Sequence, residues 1–250
     1  KLVETGLVTQ RDLPPEAVYT FKHALVQDAA YDSLLKSRRV ELHARIAHVL
    51  ESDFAERVAN EPAWLAHHHT QAGNLKTAVL LWRQAGALAV GRVALKEAVA
   101  HFQKGLTLID QLSPSEERDS LELSIREPLN AAWTGLRGWA APDVGVNAAA
   151  ILRLAEKQAN TKSLLLALWW VWTSTITQGR IADSHQWAKR LLAEGISASD
   201  VDLQMFGHVT GMVHDFLNGR LAESRQQVGR ALALWEPRRA KDWIALTGHD

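Results

Sequence analysis

Two short segments, QGRIADS (Gln178–Ser184) and NGRLAES (Asn218–Ser224), decide the fold of this chain. They match closely, and Gly179 and Gly219 hold equivalent positions in them. A related turn, Gly138-Trp139 before Ala140-Ala141-Pro142, precedes Gly179 by nearly the same interval that separates Gly179 from Gly219. Each glycine follows a long apolar segment and precedes a shorter amphipathic one. A fixed period of about 40 residues with two helices per unit is typical of an α-solenoid.

The upstream sequence has a related pattern. Ala78-x3-Trp82 and Ala98-x3-Phe102 show the spacing of small and aromatic residues that is typical of tetratricopeptide repeats. A small residue lets neighbouring helices approach, and an aromatic one turn later fills the gap. The pattern predicts an all-α, right-handed α-solenoid of about five helical hairpins, the last beginning at Lys241-Asp242-Trp243. Gly179 and Gly219 are expected in the same turn, with Ile181 and Leu221 equivalent in the core.

Capping residues predict where several helices begin and end. One helix is predicted over Pro62–Ala72 and ends at Gly73-Asn74, and a second, over Leu75–Val90, ends at Gly91. A third is predicted over Ala94–Leu112. Ser113-Pro114-Ser115-Glu116 then supplies an N-cap, a proline at the first helical position and a capping-box glutamate, and Ser199-Asp200 is a weaker helix start.

The N-terminal part of the chain, up to Phe21, has a different pattern. Two short β-like runs flank Pro14-Pro15, which predicts a small hairpin, and helical spacing begins at Lys22. The apolar stripe then continues past Lys36–Arg39. Two separate helices, or one helix broken near Lys36–Arg39, fit this stripe equally well.

Composition excludes several classes of function. The chain has 250 residues, with 28 basic and 28 acidic side chains and no cysteine. A net charge near zero disfavours a nucleic-acid-binding surface, and the lack of cysteine excludes disulfides and thiolate metal sites. The longest apolar run, Ser163–Ile176, is shorter than the roughly 20 residues of a membrane span and predicts a buried helix. We expect a soluble, cytoplasmic protein without a membrane or nucleic-acid partner.

The segment Tyr19–Glu51 resembles the end of the ATPase module in bacterial proteins that join a class III adenylate or guanylate cyclase to a STAND/AAA-type ATPase and tetratricopeptide-like repeats. The segments His67–Gly86 and Glu97–Ile109 and the turn Gly138–Pro142 resemble the repeat region of that family. The resembling positions of the first segment are Phe21, His23, Ala24, Leu25, Ala30, Tyr31, Leu34, Arg39, Leu42, His43, Ala47 and Leu50.

The resemblance implies a division into residues 1–51, the tail of a winged-helix subdomain, and residues 52–250, tetratricopeptide-like repeats truncated at the C-terminus. It also implies a non-catalytic regulatory and protein-interaction domain, with a protein or peptide, or its own upstream ATPase and cyclase domains, as partner. Alternatives are a dimerisation module, which gives a homodimer, or the sensor domain of a maltose-activator-type ATPase transcription regulator. His23 is, by the same resemblance, a candidate sensor of the nucleotide state in the parent protein.

Catalytic and metal-binding patterns are weak. No G-x-x-x-x-G-K-[ST] loop occurs in the sequence, so we expect neither ATP binding nor cyclase activity in this chain. His67-His68-His69 lie on a predicted helix, where consecutive residues point about 100° apart and do not converge on one ion. Asp183, Ser184 and His185 are adjacent helix residues, so packing explains them better than nucleophilic catalysis. We expect no cofactor and no metal.

A ligand groove is predicted from residues outside the core stripes of the first helix in each pair. These stripes place Trp169 and Trp172 in the core and direct Trp170 toward a groove or a neighbouring repeat. Stacking the first helices side by side lines one concave surface with aromatic area, a cation, an acid and an imidazole. The candidate groove residues are Trp133, Arg137, Trp170, His208 and Asp215.

Overall fold

The computed structural model describes residues 3–13 and 17–240. The chain divides into two compact units, Lys1–Ala78 and Val79–Asp250. Within the described residues, two strands are followed by twelve α-helices and a 3₁₀ turn: β1 Val8–Arg11, β2 Val18–Phe21, α1 Ala24–Asp32, α2 Lys36–Asp53, α3 Ala55–Asn60, α4 Pro62–Ala72, α5 Leu75–Gly91, α6 Leu95–Ile109, α7 Glu116–Arg137, α8 Pro142–Lys157, α9 Thr161–Thr177, α10 Ile181–Ala198, α11 Val201–Leu217, α12 Leu221–Leu234 and the turn Pro237–Arg239.

The N-terminal hairpin is antiparallel, with Val8 opposite Phe21 and Arg11 opposite Val18. No described residue after Phe21 belongs to a strand, so over residues 17–240 β structure is confined to the N-terminal part, as predicted. The predicted turn at Pro14-Pro15 lies outside the described residues, and so does the hairpin that Lys241 was expected to begin. The helical conformation is interrupted between Asp32 and Lys36, so α1 and α2 are two separate helices.

In the first unit, α2 and α4 pack against each other. Ala47 and Leu50 of α2 and Leu65 and Ala66 of α4 are buried. Helix α1, by contrast, has no buried side chain, although its sequence carries an apolar stripe. The core of this unit therefore lies between α2 and α4.

In the second unit, each helix from α6 to α12 packs against the next one along the chain. This order is what a string of helical hairpins requires, and it confirms the predicted helical, sequentially packed architecture. The core is centred on α9, whose residues Leu165–Leu168 and Trp170–Thr175 are all buried. The prediction of a buried helix over the apolar run is confirmed. No helix of the described residues is long and apolar enough to cross a membrane.

Residues with left-handed backbone fall at a regular interval in the second unit. Ala159, Gly179, Ser199 and Gly219 have φ of 50°, 77°, 54° and 72°, and they are evenly spaced along the sequence. After each of them, the next backbone N–H donates to a carbonyl five residues back, as in Arg180 N–H to Thr175 O at 3.2 Å. These hydrogen bonds satisfy carbonyl groups that have no donor within the helix at its C-terminal end. One helix and its turn thus take half of the repeat period, and a hairpin takes the whole of it.

The turns at Gly179 and Gly219 are equivalent, as predicted. Arg180 N–H donates to Thr175 O and Arg220 N–H to Asp215 O, with the glycine at the same place in each turn. The two residues that follow are not equivalent in the core, because Ile181 is half-buried whereas Leu221 is 63% exposed. That part of the prediction is wrong, since burial depends on which helix lies next to each turn.

Three predicted helix ends can be compared with the structure. Gly73, at φ 79°, ends α4 as predicted. Gly91 is the last residue of α5, and the left-handed turn falls instead on Val93, at φ 58°. Helix α7 begins later than expected, because the N-cap is Ser115 rather than Ser113. The Ser115 hydroxyl oxygen accepts the Arg118 N–H at 3.1 Å.

Candidate functional site

An open cavity of about 630 Å³ lies among α8, α9 and α10 of the second unit. Its size is within the range of ligand pockets in proteins, about 300–1,000 Å³. The lining comes from the start of α8, the C-terminal half of α9 and the first half of α10. The lining residues are Ala140, Pro142, Gly145, Val146, Ala149, Val171, Ser174, Thr175, Gln178, Arg180 and Trp187.

The walls of the cavity are mainly apolar. Val146 is 72% exposed although it lies in the middle of a packed unit, and Trp187 is half-buried on the facing helix. Ala149 and Val171 complete this surface. An exposed valine and a half-buried tryptophan on the walls of a concave site offer contact area to an apolar or aromatic ligand.

Polar groups are gathered at the end of α9. Gln178 Nε2 donates to Ser174 Oγ at 3.1 Å and to Ala140 O at 3.3 Å, which orients the amide and leaves its oxygen free to accept. Thr175 donates its hydroxyl to Val171 O at 2.6 Å and accepts from Arg180 Nη2 at 3.4 Å. Arg180 is the one charged side chain among the described residues that line the cavity. The site combines apolar walls with a small set of fixed polar groups.

Gly145 sets the distance between α8 and α9 beside the cavity. A Cβ at this position would lie 2.9 Å from Ser174 Oγ, closer than ordinary contact. Glycine therefore lets α8 approach the buried Ser174, which is 2% exposed. This close approach holds Ser174 and Gln178 at a fixed position in the wall.

The predicted groove residues do not line this cavity. Trp170 is 4% exposed and packs in the core, so its assignment to an open groove is wrong. Asp215 is also buried, at 8% exposed, and forms an ion pair with Arg220 at 2.8 Å. The prediction failed for both because α9 and α11 are covered on more than one face.

The other three predicted residues are engaged separately. Arg137 is exposed and pairs with Asp143 at the start of α8. His208 is half-buried, and its Nδ1 lies 2.7 Å from Gln227 Oε1 on α12. Trp133 is half-buried, and its indole N–H has no hydrogen-bond partner among the described residues. These side chains are not brought together with one another at the cavity.

The sequence contains a signal for part of the cavity. Gln178 and Arg180 both belong to the QGRIADS segment from which the repeat was recognised. The repeat predicts a turn at this place and assigns no role to their side chains. Ser174 and Trp187 carry no local signal, because their position at the cavity depends on the packing of α8 against α9 and α10.

A histidine cluster lies in the first unit. His43 Nδ1 is 2.8 Å from His68 Nδ1, and Tyr31 Oη is 3.0 Å from His43 Nε2. Burial, with a smaller effect of His43, lowers the pKa of His68 to about 4, and burial followed by His67 lowers the pKa of His43. Both rings are therefore neutral at pH 7. Within the part of the chain that the structure describes, no three His, Asp or Glu side chains are arranged to hold a metal ion.

His23 precedes α1 in extended backbone, with φ −134°, and its side chain makes no capping hydrogen bond. Its predicted role as a nucleotide-state sensor stays a prediction of the resemblance.

The side chains of Asp183, Ser184 and His185 contact three different partners. Asp183 pairs with Arg180 at 3.4 Å, and the buried Ser184 donates to Ile181 O at 2.8 Å. The His185 ring stacks on His214, with centroids 3.9 Å apart. Burial is the main cause that lowers the pKa of both histidines. Ser184 lies at a packing position, as its repeat equivalent Ser224 does, so these residues form no nucleophile–base pair.

Comparison with known proteins adds one relative. No protein-family model matches the chain. It is 27% identical over 253 residues to the uncharacterized protein R02095 of Rhizobium meliloti (strain 1021). The alignment covers 100% of this chain and 24% of that relative. The chain thus spans about a quarter of the length of the relative that it matches.

Proposed function

We propose that the chain is a non-catalytic, ligand-binding regulatory domain, built as a right-handed solenoid of tetratricopeptide-like hairpins. The observation that carries the proposal is the 630 Å³ cavity, which draws its walls from three successive helices. In a repeat array each unit contacts only its neighbours, so the arrangement of successive helices depends on the contacts between them. A ligand that touches α8, α9 and α10 at once favours one arrangement of these helices over others.

The proposal includes a larger parent protein. The relative is about four times as long as this chain, which leaves room for other domains in a protein of that type. By the resemblance of Tyr19–Glu51, these would be ATPase and cyclase domains, or the DNA-binding domain of a maltose-activator-type regulator. Occupation of the cavity by a small effector or a peptide would then control the parent's cytoplasmic activity.

A blocked cavity tests the proposal. Ala149→Phe places a ring in the cavity, and Ala222→Phe adds the same ring at an exposed position of α12. Small molecules and peptides are screened by thermal unfolding. A ligand at about a hundred times its Kd adds about 2.7 kcal/mol, or roughly 5–10 °C in Tm for a domain of this size.

We expect ligands that stabilise the wild type and Ala222→Phe but not Ala149→Phe. Circular dichroism must show that both variants keep their helical content. If no compound distinguishes the wild type from Ala149→Phe, the proposed function is wrong.

Dimerisation is a second candidate function, favoured by the apolar surface near α1. Leu25 is 82% exposed and Leu35 is 77% exposed. Large apolar side chains that are this exposed are typical of interaction sites where they form one patch. Light scattering over a range of protein concentrations tests the idea, with Leu25→Ser as the variant. A mass that stays monomeric at every concentration would exclude a dimerisation module.

A further inference from the structure

Two equivalent arginines of the repeat differ in their neighbours. Arg180 and Arg220 each follow the left-handed glycine, and each closes the preceding helix end with its backbone N–H. The Arg220 guanidinium is 2.8 Å from the carboxylate of Asp215, which is 8% exposed. Arg220 is thus neutralised by a carboxylate on the preceding helix.

The residue equivalent to Asp215 in the preceding hairpin is Thr175. Thr175 accepts only a long hydrogen bond, 3.4 Å, from Arg180 Nη2. The carboxylate nearest to Arg180 is Asp183, at 3.4 Å from Nε, and both side chains are more than half exposed. Such a pair is weak because water screens it. The positive charge of Arg180 is therefore less well compensated by a carboxylate than that of Arg220.

This weakly compensated charge lies at the cavity. Arg180 and Thr175 both line it, beside the buried Ser174 and the oriented amide of Gln178. In the α11–α12 pair, the corresponding turn has Asp215 in place of the threonine. Because a threonine replaces the aspartate at this place, the arginine can pair with the carboxylate of a ligand instead of one from the protein.

We propose that the cavity recognises the carboxylate of a ligand with an apolar or aromatic body, and that Arg180 is the residue that binds this carboxylate. The inference rests on the proposed function. Guanidinium and carboxylate groups match in charge and in hydrogen-bond geometry. Ser174 and Gln178 bind polar atoms next to the carboxylate, and Val146 and Trp187 contact the body. The carboxylate belongs either to a small organic acid or to the C-terminus of a peptide.

Isothermal titration calorimetry with matched probes tests the proposal. The probes are 4-phenylbutyrate and 4-phenyl-1-butanol, which share an apolar body and differ in the charge of the head group. We expect the acid to bind the wild type about tenfold more tightly or better, as a charge-assisted hydrogen bond predicts. Arg180→Gln removes the cation, and Thr175→Asp supplies the carboxylate that the other repeat has at position 215. Both variants should lose the preference for the acid.

Arg230→Gln is the matched control, because Arg230 is exposed on α12 and does not line the cavity. It should bind both probes as the wild type does. A tetrapeptide ending in phenylalanine, with a free or an amidated C-terminus, distinguishes the two sources of the carboxylate. Tighter binding of the free peptide than of 4-phenylbutyrate assigns the site to peptide ends, and the reverse assigns it to small acids.

The outcomes separate this inference from the proposed function. Equal affinity for acid and alcohol, or an unchanged preference in Arg180→Gln, overturns the carboxylate assignment and leaves a ligand-binding domain. Failure of every carboxylate probe to bind at up to about 10 mM also overturns it. The proposed function itself fails only in the screen with Ala149→Phe.

Discussion

The contact between α10 and α11 depends on Gly207. A Cβ at this position would lie 2.7 Å from both the Cα and the backbone N of Leu192. Ordinary contact begins near 3.4 Å, so Gly207→Ala must move the helices apart by 3.4 − 2.7 = 0.7 Å. The helices meet again at Gly195, where a Cβ would lie 2.5 Å from Gln204 N, so α11 is not free to tilt away.

The expected effect follows from two opposing contributions. Overpacking of this kind costs about 1–3 kcal/mol, and alanine in place of glycine within a helix contributes about 1 kcal/mol of stability. The new Cβ would meet backbone atoms of Leu192, which cannot rotate away, so the cost should lie in the upper part of that range, about 2–3 kcal/mol. The free energy of unfolding of the second unit should therefore fall by about 1–2 kcal/mol in Gly207→Ala. Urea titration followed by circular dichroism at the helical band measures it.

Gly229→Ala is the matched control, because Gly229 lies within α12 and nothing is within 4 Å of the added Cβ. This variant should be more stable than the wild type, by up to about 1 kcal/mol. The two substitutions are chemically identical and should have opposite signs. If Gly207→Ala is as stable as the wild type, close backbone packing does not hold α10 against α11, and our interpretation of these glycines is wrong.

Three further predictions concern other parts of the chain. Val93→Gly should raise the free energy of unfolding by about 1 kcal/mol in urea titration, because the β-branched Val93 has a left-handed backbone at φ 58°. Its side chain is 79% exposed, so its removal loses little packing. No gain in stability would show that the turn is unstrained. Asn147→Leu should lower the free energy of unfolding by about 2 kcal/mol, because the buried Asn130 loses its 3.1 Å hydrogen bond. A double variant that also carries Asn130→Leu should recover part of this loss. Thermal unfolding of the first unit should occur at lower temperature as the pH falls from 6.5 toward 4. In this window the unfolded chain protonates His68 while the folded chain, with its lowered pKa of about 4, does not. A pH profile that His68→Gln leaves unchanged would contradict the last prediction.

Local chemistry made much of the fold predictable. The left-handed turns at Gly73, Gly179 and Gly219 were expected because glycine adopts positive φ at little cost. Helix α4 was predicted with its observed bounds, since a proline begins it and a glycine follows it. The turn at Val93 was missed, because valine gives no signal for a backbone conformation that only the surrounding packing enforces.

The candidate site was much less predictable. Helical periodicity placed Trp170 away from the core, but α8, α10 and α11 all pack against α9 and bury it. A stripe predicts a buried face only where a helix is covered on one side. Trp169, which periodicity placed in the core, is half-buried beside Trp172 and Phe206, at ring distances of 5.3 Å and 5.2 Å.

The sequence by itself determined the helical hairpins, their regular period and the position of the turns, because each depends on contacts between near neighbours in the chain. Only the tertiary structure decided which side chains remain available to bind a ligand. Arg180 and Arg220 lie in the same motif, yet one lines an open cavity and the other is neutralised by Asp215. The physical reason is that charge and exposure depend on the neighbouring helix, and the repeat motif does not include the residues that this helix supplies.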